Sequence, residues 1–149
     1  MSSISQIPVR VEQAPTPDDF AVAQSVLHEI YTLLERLLAE NEVGAIDLRA
    51  KQTLNQASLG LLEKWLATGE VVAVVTSVGR TEVRETAYPG VWWQVSRNEQ
   101  GDIITESIHV TEVPDIIISQ RIDIKLGLKK FSGILSATAK QEFAGQTAE

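Results

Sequence analysis

The sequence contains no cysteine. That excludes disulfides, thiolate nucleophiles, cysteine-based zinc sites and iron–sulfur ligation by this chain, and it suits a reducing compartment. Basic residues are scarce: 13 Lys and Arg stand against 20 Asp and Glu, a formal charge of −7. Such a surface repels phosphate backbones and has no attraction for anionic lipid, so nucleic acid and membrane surfaces are not expected partners. No apolar run approaches the ~18 residues of a membrane span, and no membrane insertion is expected. The amino terminus lacks a basic segment followed by an apolar one, so no secretory signal is read and the expected location is cytoplasmic. Histidine, the commonest general base and metal ligand, occurs only twice in 149 residues.

What is present is an ordinary globular composition, 44% apolar and 22% charged, on a chain of single-domain length. Residues 1–15 are rich in Ser, Gln and Pro and read as a flexible arm, with Ile7, Val9 and Val11 alternating as a short strand would. Thr16-Pro17-Asp18-Asp19 is a helix start: a cap, a proline in the first turn and two acids at the positive dipole end. Phe20, Ala23, Leu27, Ile30, Tyr31, Leu34, Leu37 and Leu38 then mark one broad helical face ending near Asn41. Ala45 to Leu48 read as a short buried strand. Asn55 caps a second helix, with Leu54 and Leu59 spaced as a hydrophobic staple, which stops near Thr68-Gly69.

From Glu70 the period changes. Strands are read at 70–78, 81–88, 91–97 and 102–113, with a tight connection at Asn98-Glu99-Gln100-Gly101. Pro114 closes this run. A turn at 115–120 and a helix led by Asp123, with Ile124, Leu128 and Phe131 on one side, complete the pattern. The expected fold class is α+β: a mainly antiparallel sheet, a four-strand meander plus one short earlier strand, with helices packed on one face. The expected organisation is a single domain over 16–136 and a small, polar, fraying tail over 137–149.

Residues able to carry chemistry are isolated. His28 falls beside the apolar face of the first helix and His109 within a strand, each reading as a surface or boundary histidine. Asp47, at a strand end and followed by Arg49, fits a local pairing or loop hydrogen bond better than a catalytic acid. No Gly-rich loop precedes a helix, and Ser58 and Ser107 lack a nucleophile context. No catalytic residue, metal ligand set or cofactor is assigned.

The most informative segment is Arg84-Glu85-Thr86-Ala87-Tyr88-Pro89-Gly90-Val91-Trp92-Trp93. Strand alternation sends Arg84 and Glu85 to opposite faces, and likewise Trp92 and Trp93. Pro89-Gly90 reads as a bend with glycine at positive φ. Two outcomes stay open for the tryptophans. Either one joins the core and the other faces solvent or a partner, or both are buried. Under the first, Arg84, Glu85, Tyr88, Trp92 and Trp93 form a partner-binding surface.

The same segment, with Leu27-His28-Glu29-Ile30, Gly44-Ala45-Ile46-Asp47-Leu48-Arg49, Gly69-Glu70-Val71, Glu112-Val113-Pro114 and Ser119-Gln120, resembles the HupH/HyaF family of hydrogenase expression/formation proteins over roughly residues 25–130. The resemblance implies a non-enzymatic accessory role in maturing a nickel–iron uptake hydrogenase. It implies a chaperone or scaffold for the iron–sulfur small-subunit precursor, with the large subunit a less favoured client. Family members are often longer, with an additional N-terminal region, which leaves a homodimer as an option for this chain. The alternatives are a metal-handling maturation factor, or a small enzyme using Arg84, Glu85 and Asp47.

Overall fold

Thr16 starts the first helix as its side chain dictates. Its Oγ1 accepts from the Asp19 N–H at 3.3 Å, while Asp19 Oδ2 accepts from the Thr16 N–H at 2.8 Å, a closed capping box. This computed structural model describes residues 13–146, so the strand read at 7–12 and most of the proposed arm lie outside the described residues. Helix α1 (Pro17–Glu40) ends on Asn41, whose left-handed conformation lets its N–H reach the Arg36 and Leu37 carbonyls. Strand β1 (Gly44–Asp47) follows, beginning at a glycine where a Cβ would lie 2.6 Å from Leu33 Cδ2.

Helix α2 (Gln56–Leu66) opens on a second capping box, Asn55 with Ser58. The staple residues Leu54 and Leu59 both pack against the core. After it come β2 (Val72–Ser77), β3 (Gly79–Glu85), β4 (Val91–Arg97) and β5 (Ile103–Val110). The five strands form one antiparallel sheet in the order β1-β5-β4-β3-β2. The four later strands are the expected meander, and β1 adds to its far side, so the fold class is α+β as the sequence indicates.

The register decides what each face carries. Arg84 pairs with Trp93, Trp93 with Ile108, and Ile108 with Ile46, one row across four strands. Helices α1 and α2 close on this face: Ala23, Val26, Ile30, Leu61, Leu62 and Leu66 join Ile46, Val91, Trp93, Ile108 and Val110 in the buried core. Each such large apolar side chain contributes roughly 1.5–3 kcal/mol when fully buried. Phe20 of α1 and Trp65 of α2 meet with ring centroids 5.9 Å apart, tying the helices together at their outer side. The opposite face carries a parallel row, Glu85 with Trp92 and Trp92 with His109.

The chain divides into two compact units at Pro114, residues 1–114 and 115–149, so the boundary falls inside the domain read over 16–136. The second unit holds a 3-10 turn, Asp115–Ile117, and helix α3 (Arg121–Gln146). The helix continues well past residue 136, where the sequence suggests fraying. Ala137, Ala139, Lys140, Gln141 and Glu142 are strong helix formers, and their intrinsic propensity carries the helix on without an apolar period. Its large apolar residues, among them Ile124, Leu128 and Phe131, are exposed. No described helix is long and apolar enough to cross a membrane.

Candidate functional site

The segment 84–93 does not form one surface. It is divided among three places by strand alternation and one turn. Arg84 and Trp93 lie on the helix-covered face, Glu85 and Trp92 on the other, and Tyr88 on the connection between β3 and β4. That connection is a turn closed by the Val91 N–H on the Tyr88 carbonyl at 3.0 Å, with Gly90 at φ 87°, the geometry Pro-Gly favours. Tyr88 is 53% exposed there.

Both tryptophans are buried, Trp92 to 5% and Trp93 to 1% exposure, which selects the second of the two outcomes left open above. Neither indole presents a face to solvent, so the surface expected of Arg84, Glu85, Tyr88, Trp92 and Trp93 together is corrected to separate parts. The physical reason is that each ring finds its polar partner inside the fold. Trp92 Nε1 donates to the Thr111 carbonyl at 3.1 Å, and Trp93 Nε1 to Glu106 Oε1 at 3.0 Å.

Around Trp93 the structure assembles a polar cluster. The Arg84 guanidinium sits 5.2 Å from the ring centroid, and its Nη2 donates to Glu63 Oε1 of α2 at 2.9 Å. Arg84 Nε is buried without a hydrogen-bond acceptor among the described residues. Glu63, Arg84, Trp93 and Glu106 therefore link α2, β3, β4 and β5 in one chain of contacts. Glu63 and Glu106 are absent from the sequence-based candidates. Glu106 pairs with Val95 and is thus the diagonal neighbour of Trp93, a relation visible only once the register is known.

This cluster lies along a groove of about 1420 Å³ between the helix N-termini and the sheet. Its lining includes Trp93, Val95 and Ile103 with Glu63, Glu82, Arg84, Arg97 and Glu106, and on the helix side Thr16, Asp18, Asp19, Asn55 and Lys64. Carboxylates outnumber cations around it. The helix side is fixed by Asn55, whose Nδ2 donates to Asp19 Oδ1 at 2.8 Å and so joins the two helix starts. Hydrogen bonds from the Thr16 backbone N–H and from Asn55 hold the Asp19 carboxyl below its ordinary pKa.

The remaining candidates are scattered. Asp47 Oδ1 accepts from the Arg49 and Ala50 N–H groups at 3.0 and 3.2 Å, a loop-stabilising turn. Asp47 is on β1 and Glu85 on β3, three strand spacings apart, about 14 Å, and Arg84 is on the other face, so these three do not converge. His109 Nε2 lies 2.9 Å from Ser107 Oγ. It shares a row with Glu85, but Trp92 stands between them. His28 is exposed on α1, and Ser58 is consumed by the α2 cap. Among the described residues no three His, Asp or Glu side chains gather as a metal site.

Comparison with known proteins agrees with the fold and the segment. Residues 20–138 match the family model for the C-terminal conserved region of the HupH hydrogenase expression protein. The chain is also similar to a solved structure, the hydrogenase expression protein HupH from Thiobacillus denitrificans ATCC 25259, at 34% identity and a TM-score of 0.75. That similarity covers 78% of this chain and 97% of the other. No curated protein sequence gives a match.

Proposed function

The chain belongs to the HupH hydrogenase expression family, and from that premise we propose that it is a non-catalytic accessory in the maturation of a nickel–iron uptake hydrogenase. It acts in the cytoplasm as a chaperone or scaffold for the precursor of the iron–sulfur small subunit. The observation that carries this reading is the groove beside Arg84 and Trp93. It is large enough for a segment of another chain, apolar along Val95 and Ile103 above the buried Trp93, and rimmed by Glu63, Glu82 and Glu106. Such a lining suits a client segment that combines apolar and basic side chains. A chain without cysteine holds such a client without competing for its cluster iron. Arg84, Glu85 and Asp47 stand apart, which favours binding over catalysis.

The test is co-purification of the small- and large-subunit precursors with the wild-type protein and two variants. Glu82→Lys reverses charge at the groove without touching the core, and Tyr88→Ala removes the exposed ring at the bend. The expected result is retention of the small-subunit precursor by the wild type and severe loss with Glu82→Lys. Equal retention by a folded Glu82→Lys variant removes the groove. A larger loss with Tyr88→Ala moves the contact to the bend. Failure to retain either precursor removes the client assignment.

A further inference from the structure

Helices α1 and α2 cover the sheet unevenly. The core that they close draws on β1, β4 and β5 and, among the described residues, on none of β2 or β3. On the same face Val72 pairs with Arg84, and Val74 pairs with Glu82, which in turn pairs with Val95. Val72 and Val74 are 60% and 45% exposed. The groove of about 1420 Å³ borders this bare strip, lined by α2 from Gln56 to Lys64 and by Glu82 and Arg84 of β3. The helix layer thus stops short of the sheet's width, and the groove lies where a third helix would pack.

Helix α3 has the opposite deficit. Ile124, Leu128, Phe131 and Leu135 follow one another at intervals of four, three and four, one stripe along the helix. They are exposed to 56%, 72%, 60% and 60%, a continuous apolar strip of the kind that marks an interaction site. The family match runs to residue 138, so the stripe belongs to the matched region. Charge is divided between the two surfaces. Residues 1–114 hold eight Lys and Arg against sixteen Asp and Glu. Helix α3 holds Arg121, Lys125, Lys129, Lys130 and Lys140 against Asp123 and Glu142.

We propose that two copies of this chain exchange α3, the stripe of each lying in the groove of the other, beside α2 and over the bare strip of β2 and β3. The stripe is exposed in the single chain, and a second copy supplies its seat. Charge selects this pairing. Two α3 helices packed stripe to stripe would bring like cations together, whereas basic α3 meets a groove rimmed by Glu63, Glu82 and Glu106. The whole-chain charge of −7 opposes approach, but screening over about 8 Å at physiological salt leaves the local complement to decide. Size agrees as well. Residues 124–135 form a cylinder about 18 Å long and 10 Å across, about 1,400 Å³, which the groove admits. Embedded over half its girth, that helix presents about 400 Å² of accessible surface. Two reciprocal seats, counted on both sides, then bury about 1,600 Å², the size of a stable specific interface. The exchange also fills the groove, so α3 and a client segment compete for it. That consequence alone rests on the client reading of the groove.

Sedimentation velocity of the full chain should show a shift from monomer to dimer with concentration. Leu128→Asp, at an exposed position, should weaken the dimer about tenfold or more while circular dichroism stays native, and Glu82→Lys should weaken it from the groove side. The absence of native cysteine lets cross-linking identify the surfaces that meet. Tagged Phe131→Cys copies mixed with untagged Val74→Cys copies and a flexible bis-maleimide should give the mixed dimer in excess over either like pair. A wild type that stays monomeric through high micromolar concentration overturns the proposal, and so it would if residues 1–12 of the same chain filled the groove. A dimer indifferent to Leu128→Asp, or one in which Phe131→Cys copies link chiefly to each other, overturns it equally. The client reading is separated by co-purification. Leu128→Asp should retain more small-subunit precursor than the wild type. An intact dimer that retains no precursor removes the client and leaves the exchange, and a monomeric chain that retains it does the reverse.

Discussion

Asn55 Nδ2 donates to Asp19 Oδ1 at 2.8 Å, so the residue that caps α2 also holds the third residue of α1. One side chain thereby fixes two helix starts and the helix-side wall of the groove. Replacing it removes the α2 cap and the tie together. Asn55→Ala should lower stability by about 1–2 kcal/mol, more than Thr16→Ala, which loses the α1 cap alone. Urea unfolding of the two variants gives the order, and equal losses would show that the inter-helix tie contributes nothing.

The same carboxylate sets an acid dependence. Asp19 is held below its ordinary pKa of 3.8 by the Thr16 N–H and by Asn55. Its stabilisation is therefore fully present above the unfolded value and is lost as pH falls through the lower folded value. Below about pH 4 the wild type should lose stability faster than Asp19→Asn, which is weaker at neutral pH but flatter in acid. Unfolding midpoints at pH 7, 4 and 3 measure the two slopes.

Arg84 divides its interactions unequally. Its partner Glu63 has a side chain 52% exposed, so that ion pair is solvent-screened, and Glu63→Gln should cost under about 1 kcal/mol. The guanidinium of Arg84 lies over the buried Trp93 ring, and Arg84→Ala should cost more by stripping that cover and the side chain's apolar stem. Arg84→Met, which keeps most of the apolar stem, should fall between. Thermal unfolding of the three variants is the check, and a Glu63→Gln loss as large as that of Arg84→Ala would contradict it.

Two glycines at positive φ separate backbone strain from collision. Gly79 has φ 113° and Gly101 φ 86°. A Cβ on Gly101 meets nothing, whereas one on Gly79 collides with the Arg97 carbonyl oxygen. Gly101→Ala should cost about 1 kcal/mol from strain alone. Gly79→Ala should cost clearly more, because β3 and the end of β4 must separate, and comparison of the two melting temperatures reads the difference.

Much of this architecture is written locally. Thr16, Asn55, Pro89-Gly90 and Asn98 to Gly101 announce their caps and turns because each acts on backbone within a few residues. The change from helical to alternating period places the meander for the same reason. The groove was not legible, because Glu63, Arg84, Trp93 and Glu106 are joined by strand register and helix packing, which no short window contains. Alternation correctly separated Trp92 from Trp93 but did not reveal that the Thr111 carbonyl and Glu106 would satisfy both indoles indoors. The length of α3 is not legible either, because alanine and lysine at its end carry no apolar period although they favour helix.

The division at Pro114 has a spectroscopic consequence. Trp65, Trp92 and Trp93 all belong to the first unit, and the second contains no tryptophan. Intrinsic fluorescence therefore reports on the sheet and its two helices alone, while far-ultraviolet circular dichroism also registers the 26 residues of α3. Heating the protein under both probes distinguishes one cooperative transition from two, with the native tryptophans serving as built-in reporters for half of that comparison.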